Sequence, residues 1–363
     1  MKKRIIVILL LLLLLILSPR VYWSLKEPIS LEIAVIDYTV PTKDYREHNG
    51  LFQVLTSKKI VREDGELYDV GKDYYGFDPY DKVQTEPFEH HQVDMIYITD
   101  TYGVYSDDLE EKPDGERSEL LFGGMDLLDW NGLMQSKDDQ TTLIAEFNSF
   151  ASPTSEEVSK IMQQTLGLTW SGWIGRYFPD LANDEIPQWL IDNYEQQAQQ
   201  EWSFEGPGMA YVHTTDQVII LNEDEIKGSV NFTLTEQGKH KFSSVHSSEY
   251  MYWFDIVEPL GGTEVLASYK VELEDIGADK LRAAGIPTQF PAVLFRENDL
   301  TYYFAGDYAD FDKQPIVTWE SIHHVYKFFA KDVSSFYWLS YFPMMEDILN
   351  EAINRKRGVL HAE

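Results

Sequence analysis

Three apolar runs in the first half of the chain have the length and composition of buried β-strands. They are Leu31–Asp37, Asp94–Asp100 and Thr142–Asn148, and each carries a polar residue at or near its end. Strands that are apolar nearly throughout are typical of a parallel sheet, because helices cover both of its faces. Parallel strands also require crossover connections, and the segments between these runs are long enough for them. The pattern therefore predicts an α/β fold with a mostly parallel sheet.

Helical spacing of apolar residues predicts the crossovers. The segment 45–58 reads as an amphipathic helix, and Thr154 and Glu157 have the spacing of a capping box before a second helix that Gly167 ends. Two more helices are predicted near the C-terminus. The remaining predicted elements are short strands at 218–221, 265–269 and 291–295, a hairpin turn at 297–299 into 300–305, and the C-terminal helices near 319–332 and 336–355.

The N-terminus has a different pattern, because Lys2, Lys3 and Arg4 precede an unbroken apolar run from Ile5 to Leu17. Cations before such a run predict an N-inside orientation. As a helix the run spans about 20 Å, less than a hydrocarbon layer of about 30 Å, so we include the segment up to Trp23. A cleaved signal peptide is the alternative, but no small-residue cleavage site follows.

These patterns divide the chain into three parts. We predict a membrane anchor at 1–23, a polar linker at 24–30 and a single extracytoplasmic α/β domain at 31–363, elaborated by β-hairpins and C-terminal helices. No Pro, Gly or Ser-rich linker divides the body. The predicted location is a cell membrane, with the body outside the cytoplasm.

Composition and charge exclude several classes of function. The chain has 61 Asp and Glu residues against 30 Lys and Arg residues, a formal net charge of −31, and no cysteine. Nucleic-acid binding is excluded because it depends on cations that displace counterions. The absence of cysteine excludes disulfides, thiolate nucleophiles and Cys-ligated zinc. A cysteine-free exported body favours a bacterial, Gram-positive envelope protein.

The chain lacks the sequence motifs of the more easily identified enzymes. It contains no P-loop, no G-x-G-x-x-G after the first strand, no H-E-x-x-H, no EF-hand loop and no G-x-S-x-G elbow. We accordingly predict no cofactor. The adjacent pairs His90-His91 and His323-His324 point to different faces of a helix or strand, so we predict no metal site either.

Polar residues at the strand ends are the candidates for ligand binding. In open α/β sheets, ligands bind outside the carboxyl ends of the strands, because the loops converge there. Each candidate acid has an alternative role in capping a helix or turn. The predicted ligand-binding residues in this group are Asp37, His48, Asp100, Tyr102, Glu146 and Asn148.

Two later segments add candidates. Gly172–Phe178 is interpreted as a tight loop that presents Arg176 either to an anionic ligand or to a structural ion pair. Asp307 and Asp310 follow a predicted strand and are three residues apart, so they are able to face one cleft. A pair of carboxylates is the minimum equipment of a glycosidase.

The order of these segments resembles the class I glutamine amidotransferase-like superfamily, over residues 31–310. The resemblance implies a flavodoxin-like fold. Glutamine hydrolysis in that superfamily uses a Cys nucleophile, which this chain lacks, so the resemblance is to non-amidotransferase branches such as the trehalose-utilisation type and β-galactosidase trimerisation domains. No catalytic residue is carried over. The segments concerned are the strands with Asp37 and with Asp100 and Tyr102, Glu146-Phe147-Asn148 before a capped helix, Val265–Ala267, Phe290–Val293 and Tyr302–Asp307.

Three functions remain open from the sequence. The first is a membrane-anchored envelope protein that binds a carbohydrate-like ligand or an envelope partner in a cleft at the carboxyl edge of the sheet. The second is a carboxylate-dependent glycan hydrolase. The third is a structural subunit of a membrane-associated envelope complex, for which we expect a large exposed apolar patch away from the strand ends.

Overall fold

The computed structural model describes residues 17–85, 88, 91–109, 118–319, 321–331 and 333–360. Most of the predicted anchor, residues 1–16, lies outside the described residues, as does His90. Residues 17–25 form a helix, α1. Among the described residues, no helix combines the length and apolarity that a membrane crossing requires. Membrane anchorage therefore stays a prediction.

The described chain forms short strands and helices in alternation. The strands are β1 Ile29–Ser30, β2 Ile33–Asp37, β3 Ile60–Val61, β4 Tyr75–Asp78, β5 Val83–Gln84, β6 Met95–Asp100, β7 Val104–Tyr105, β8 Leu120–Phe122, β9 Thr142–Ala145, β10 Leu168–Phe178, β11 Gly208–His213, β12 Val218–Leu221, β13 Ile226–Leu234, β14 Ser248–Tyr250, β15 Phe254–Pro259, β16 Glu264–Leu273, β17 Gln289–Arg296 and β18 Thr301–Phe304. The helices are α2 Arg46–Lys58, α3 Leu127–Gln135, α4 Glu156–Leu166, α5 Gln188–Ala198, α6 Glu236–Lys241, α7 Asp275–Ala283, α8 Ile322–Phe329, α9 Val333–Phe336 and α10 Phe342–Leu360, the last two joined by a π-helical segment, Tyr337–Tyr341.

A ten-stranded mixed sheet forms the centre, in the order β14-β13-β16-β17-β18-β9-β6-β2-β4-β5. Its strands β18, β9, β6, β2 and β4 are neighbours and run parallel. If these five are numbered along the chain, their order in space is 2-1-3-4-5. The strands on either side pair antiparallel. An α/β fold was therefore predicted correctly, but "mostly parallel" describes one half of the sheet.

The parallel strands form the centre of the core. Every residue of β2, β6 and β9 is buried. α2 and α10 pack against each other beside the sheet, and the apolar side chains of both helices belong to the same large cluster as the strands. Burial of successive residues, which face opposite sides of the sheet, explains why these three strands are apolar nearly throughout.

The segment 172–178 corrects the sequence interpretation, because it is a strand and not a tight loop. It belongs to β10, the second strand from the edge of an antiparallel sheet in the order β12-β11-β10-β15. Gly175 is required because the Phe254 ring lies on it, where an added Cβ would come within 2.5 Å. Gly172, at φ 83°, lies in a bulge between Trp170 and Ile174. The glycines reflect close packing and a bulge.

Under this second sheet lies a smaller apolar cluster, separate from the main one. It includes Phe178, Leu181, Leu190 and Ile220, and Trp189 and Trp202 pack against it. The Trp-rich segment 170–206 is therefore largely core. Whether the body is one domain, as predicted, stays a prediction.

The third parallel strand and its following helix also differ in detail from the prediction. The strand ends at Ala145, so Glu146 and Asn148 lie in the turn that follows. Ser155, not Thr154, caps α4 by accepting a hydrogen bond from the Val158 amide. Thr154 is buried instead, and its hydroxyl accepts from the Met125 amide, 3.0 Å away.

Candidate functional site

The structure brings five of the predicted acids together at the carboxyl edge of the parallel strands. Asp37 ends β2 and Asp100 ends β6, and the two are register partners in the sheet. Glu146 follows β9, and Asp307 and Asp310 follow β18. The strand order reverses between β2 and β6, which is the position at which ligands bind in open α/β sheets.

Asp37 and His48 form a fully buried pair, with His48 Nδ1 2.6 Å from Asp37 Oδ2. His48 Nε2 lies 2.9 Å from the Val70 carbonyl oxygen, which only accepts, so this nitrogen carries a proton. A further proton lies between Nδ1 and the carboxyl, so the pair is neutral overall. Burial raises the pKa of Asp37, and His48 opposes that shift.

Glu146 is also fully buried and accepts three hydrogen bonds. Its Oε2 accepts from the amides of Tyr308 and Ala309, at 3.0 and 3.1 Å, and its Oε1 from the Tyr97 hydroxyl. Burial outweighs these donors and raises the pKa of Glu146 to about 8. The Ala309 carbonyl in turn accepts from the Gly50 amide of α2, 2.8 Å away. The 307–310 turn is therefore held from both the sheet and the helix.

Asp100 is buried less completely than Asp37 and Glu146, with 8% of its surface exposed. Its Oδ1 accepts from the Tyr102 amide at 2.5 Å. Burial raises its pKa to about 7, assisted by the charge of Asp37 and opposed by hydrogen bonds that include one from Asn148. Asn148 has φ 64°, a conformation that asparagine tolerates. The Tyr102 side chain is 39% exposed.

Asp307 and Asp310 are less deeply buried than Asp37 and Glu146. Arg46 Nε lies 2.7 Å from Asp310 Oδ1, whose side chain is 15% exposed. Burial raises the pKa of Asp310 to about 6, and Arg46 opposes this. Burial followed by the charge of Asp310 raises the pKa of Asp307 well above its ordinary value. Arg46 was not among the site residues predicted from the sequence. The feature that could have identified it is its position in the first turn of α2.

Arg176 does not neutralise the strand-end acids. Its guanidinium bonds to Glu185 Oε2 at 2.8 Å and lies 4.6 Å from the centre of the Phe178 ring. Asp307 interacts with Arg176 only through its charge, more weakly than Glu185. Arg176 was predicted to face either an anionic ligand or a structural ion pair, and this arrangement corresponds to the ion pair.

An open cleft of about 640 Å³ lies next to the Asp37–His48 pair, because Val70 lines the cleft and its carbonyl oxygen contacts His48. Its lining includes none of the five strand-end acids. It is at the carboxyl edge, since Asp78 ends β4 and residues 43–45 follow β2. Sequence reasoning missed it because its residues come from four separate segments. They are Lys43, Asp44, Tyr45, Asp69, Val70, Gly71, Lys72, Asp78, Tyr80 and Lys313.

The charged groups of the cleft are not equivalent. Asp78 Oδ1 accepts from the Tyr80 amide at 2.7 Å, and Asp69 accepts from Gly71 and pairs with Lys72 at 3.2 Å. Lys43 lies over the Tyr80 ring, 4.1 Å from its centre. Lys313 is exposed. The lining therefore carries three acids and three lysines, and Tyr80 adds an exposed aromatic ring.

Two of the described histidines outside this region lie against acids. His91 faces Glu32 at 3.4 Å, and His323 lies 3.7 Å from Glu346 and stacks on Phe342. In the described ranges, no group of three or more His, Asp or Glu side chains is arranged to hold a metal ion.

The fold and site define a mixed α/β protein with a buried acid cluster and an adjoining cleft at one sheet edge. No family model matches the chain, and no curated protein does. Among solved structures, a putative ThuA-like protein from Bacteroides uniformis is similar over 90% of this chain and 93% of its own, at 8% identity and a TM-score of 0.38. Similarity at that level carries no argument about function.

Proposed function

We propose that this chain is a membrane-tethered extracytoplasmic protein that binds a carbohydrate-like ligand in the cleft at the carboxyl edge of its sheet. The observation that carries the proposal is the open cleft of about 640 Å³ beside acids that are mostly buried and bonded internally. Asp37, His48 and Glu146 have no exposed surface, so their role toward a ligand is to hold the residues around them.

The cleft has the chemistry of a sugar site. Tyr80 supplies aromatic surface, because its side chain is 60% exposed, whereas Tyr45 is buried, with 8% exposure. Aromatic rings pack on the apolar faces of sugars, and charged side chains bond their hydroxyls. Lys43 and Lys313 form no ion pair within the described part of the chain, and they favour a glycan that carries acidic groups.

The proposed fold family is the non-amidotransferase branch of the glutamine amidotransferase-like superfamily. The spatial order 2-1-3-4-5 of the five parallel strands supports this, because it is the flavodoxin-like order. The apolar run from Ile5 to Leu17 and its preceding cations support the tether and the extracytoplasmic body.

A binding screen tests the ligand. Full-length protein in detergent micelles is applied to a glycan array that includes acidic polysaccharides, together with Tyr80→Ala, Lys313→Ala and the control Lys270→Ala. Lys270 is an exposed lysine of β16, paired with Glu272. We expect binding that Tyr80→Ala weakens about fivefold, since an aromatic contact contributes about 1 kcal/mol. Equal binding by the native protein and all three variants would contradict ligand binding in the cleft.

Glycan hydrolysis is the second candidate, and the raised pKa values of Asp307 and Asp310 favour it. Groups with such shifts concentrate at active sites. Incubation of array-positive glycans with the protein, followed by measurement of new reducing ends, tests it. Activity that Asp307→Asn abolishes while binding persists would establish the hydrolase. Binding without new reducing ends supports the first proposal.

A further inference from the structure

Helix α8 exposes an apolar face that nothing in the described chain covers. Val325, Phe328 and Phe329 are 51%, 82% and 70% exposed. The opposite face is anchored, because Ile322 is buried and the Tyr326 ring stacks on Trp338 with centroids 4.5 Å apart. Burial of a large apolar side chain contributes roughly 1.5–3 kcal/mol. Two adjacent exposed phenylalanines therefore favour a contact that removes them from water, as exposed apolar patches at interaction sites do.

The chain just before α8 contacts the N-terminal helix α1. Arg20 Nη1 donates to the Thr318 carbonyl at 3.2 Å, just before α8 begins. In α1, Val21, Tyr22 and Leu25 are 52%, 62% and 77% exposed. The apolar run that starts at Ile5 therefore enters the described structure at residue 17, beside the segment that leads to α8. Two sets of exposed apolar side chains lie at one end of the molecule.

This end also carries cations, in contrast to the net charge of −31. Lys59 Nζ lies 5.3 Å from the centre of the Trp23 ring and donates to the Ser24 carbonyl. Acids also lie among these groups: Glu346 bonds to Lys58 at 3.2 Å, and exposed Glu27 follows Lys26 in the chain. Lysines beside apolar and aromatic residues suit the surface of an anionic bilayer. The cations at this end are Arg20, Lys26, Lys58, Lys59, Lys327 and Lys331.

We infer that α8 lies on the bilayer surface, with Phe328 and Phe329 in the lipid interface next to the tether. The inference rests on the tether in the proposed function and adds a second membrane contact. A single short apolar run restrains the orientation of the body relative to the membrane only weakly. A second contact holds the body at a defined angle to the membrane.

The consequence for the cleft follows from α2. Trp23 Nε1 donates to the Thr56 and Ser57 carbonyls at the C-terminal turn of α2, at 3.1 Å each. His48, in the first turn, lies against Asp37 at the carboxyl edge of the sheet. The helix has 13 residues and is therefore about 20 Å long. The cleft is thus held away from the lipid.

Site-specific fluorescence tests the contact, and the absence of native cysteine makes a single label unique. Full-length Phe328→Cys carries an environment-sensitive fluorophore and is reconstituted in vesicles of anionic phospholipid, with and without brominated acyl chains. The control is Leu128→Cys, which is 78% exposed on α3. α3 begins near the carboxyl edge, where the Tyr38 hydroxyl donates to Asp129 at 2.8 Å.

We expect brominated lipid to quench the label at position 328 at least twofold and to leave the label at 128 unchanged. Protein that stays on vesicles through an alkaline wash but shows equal, weak quenching at both positions would overturn the contact of α8. It would indicate a protein partner for that face. Protein that the wash removes would overturn the tether, and with it the inference. The two failures are therefore distinguishable.

Discussion

Single side chains at the carboxyl edge show how the fold accommodates carboxylates without solvent. Asp37 shares a proton with His48, Glu146 accepts from two amides and a tyrosine, and Asp310 pairs with Arg46. Each of these three acids has its own internal partner, as the energetics of buried charge require. These acids therefore contribute to stability in ways that depend on their protonation.

His48→Leu leaves Asp37 buried without its partner. We expect the free energy of unfolding to fall by about 3–5 kcal/mol, the usual effect of removing one member of a buried pair. Urea unfolding at neutral pH measures it. The control is the double variant Asp37→Asn/His48→Leu, in which neither member of the pair is ionisable. It should recover part of the loss, and a single variant as stable as the native protein would contradict the pairing.

Glu146 makes stability depend on pH. Its pKa is about 8 in the fold and near 4.5 in the unfolded chain. Between these values the folded state holds the extra proton, so the free energy of unfolding falls as pH rises from about 4.5 to 8. Glu146→Gln mimics the protonated form and should flatten this decline in urea unfolding at pH 5, 7 and 8.5. Exposed Asp224→Asn is the control, and an unchanged slope in Glu146→Gln would refute the assignment.

At the scale of elements, the sequence predicted what depends on local pattern. β2, β6 and α2 lie within two residues of the predicted segments, because continuous apolar runs and helical spacing are local signals. β10 was missed because the ring that requires Gly175 comes from β15, a distant segment. The cleft was missed for the same reason, whereas the clustering of the strand-end acids followed from parallel register. Their role toward a ligand stays a prediction.

Gly175→Ala tests the packing of β10 on β15. The new Cβ would lie 2.5 Å from the Phe254 ring, so we expect a loss of about 1–3 kcal/mol in the free energy of unfolding. Gly228→Ala in β13 is the matched control, because no atom lies within 4 Å of its Cβ position. Urea unfolding of both variants gives the comparison. Equal effects of the two substitutions would mean that contact with Phe254 is not the reason for glycine at position 175.

The whole molecule has two ends of different character. The carboxyl edge of the sheet gathers acids and the cleft, and the opposite end of α2 gathers Trp23, the cations and the exposed face of α8. The net charge of −31 disfavours adsorption to anionic lipid over most of the surface. The proposed membrane attachment would therefore depend on apolar contact at one end.

Deletion of residues 2–17 tests the attachment of the whole protein. Removal of the apolar run should shift most of the protein from the membrane pellet to the soluble fraction, because α8 alone buries too little surface for stable binding. Fractionation after an alkaline wash measures the shift. The full-length double variant Phe328→Ser/Phe329→Ser should remain in the pellet. Retention of the deleted form would show that the run is dispensable for anchoring.

The turn at 307–310 is bonded to Glu146 through the amides of Tyr308 and Ala309 and to α2 through the Gly50 amide. A turn that is hydrogen-bonded on two sides has little conformational freedom, so it has little to lose when a ligand binds. A ligand that contacts this turn would therefore meet a preformed surface, and the ordering entropy of association would fall mainly on the ligand. Such a surface should bind rigid ligands more tightly than flexible ligands of the same composition.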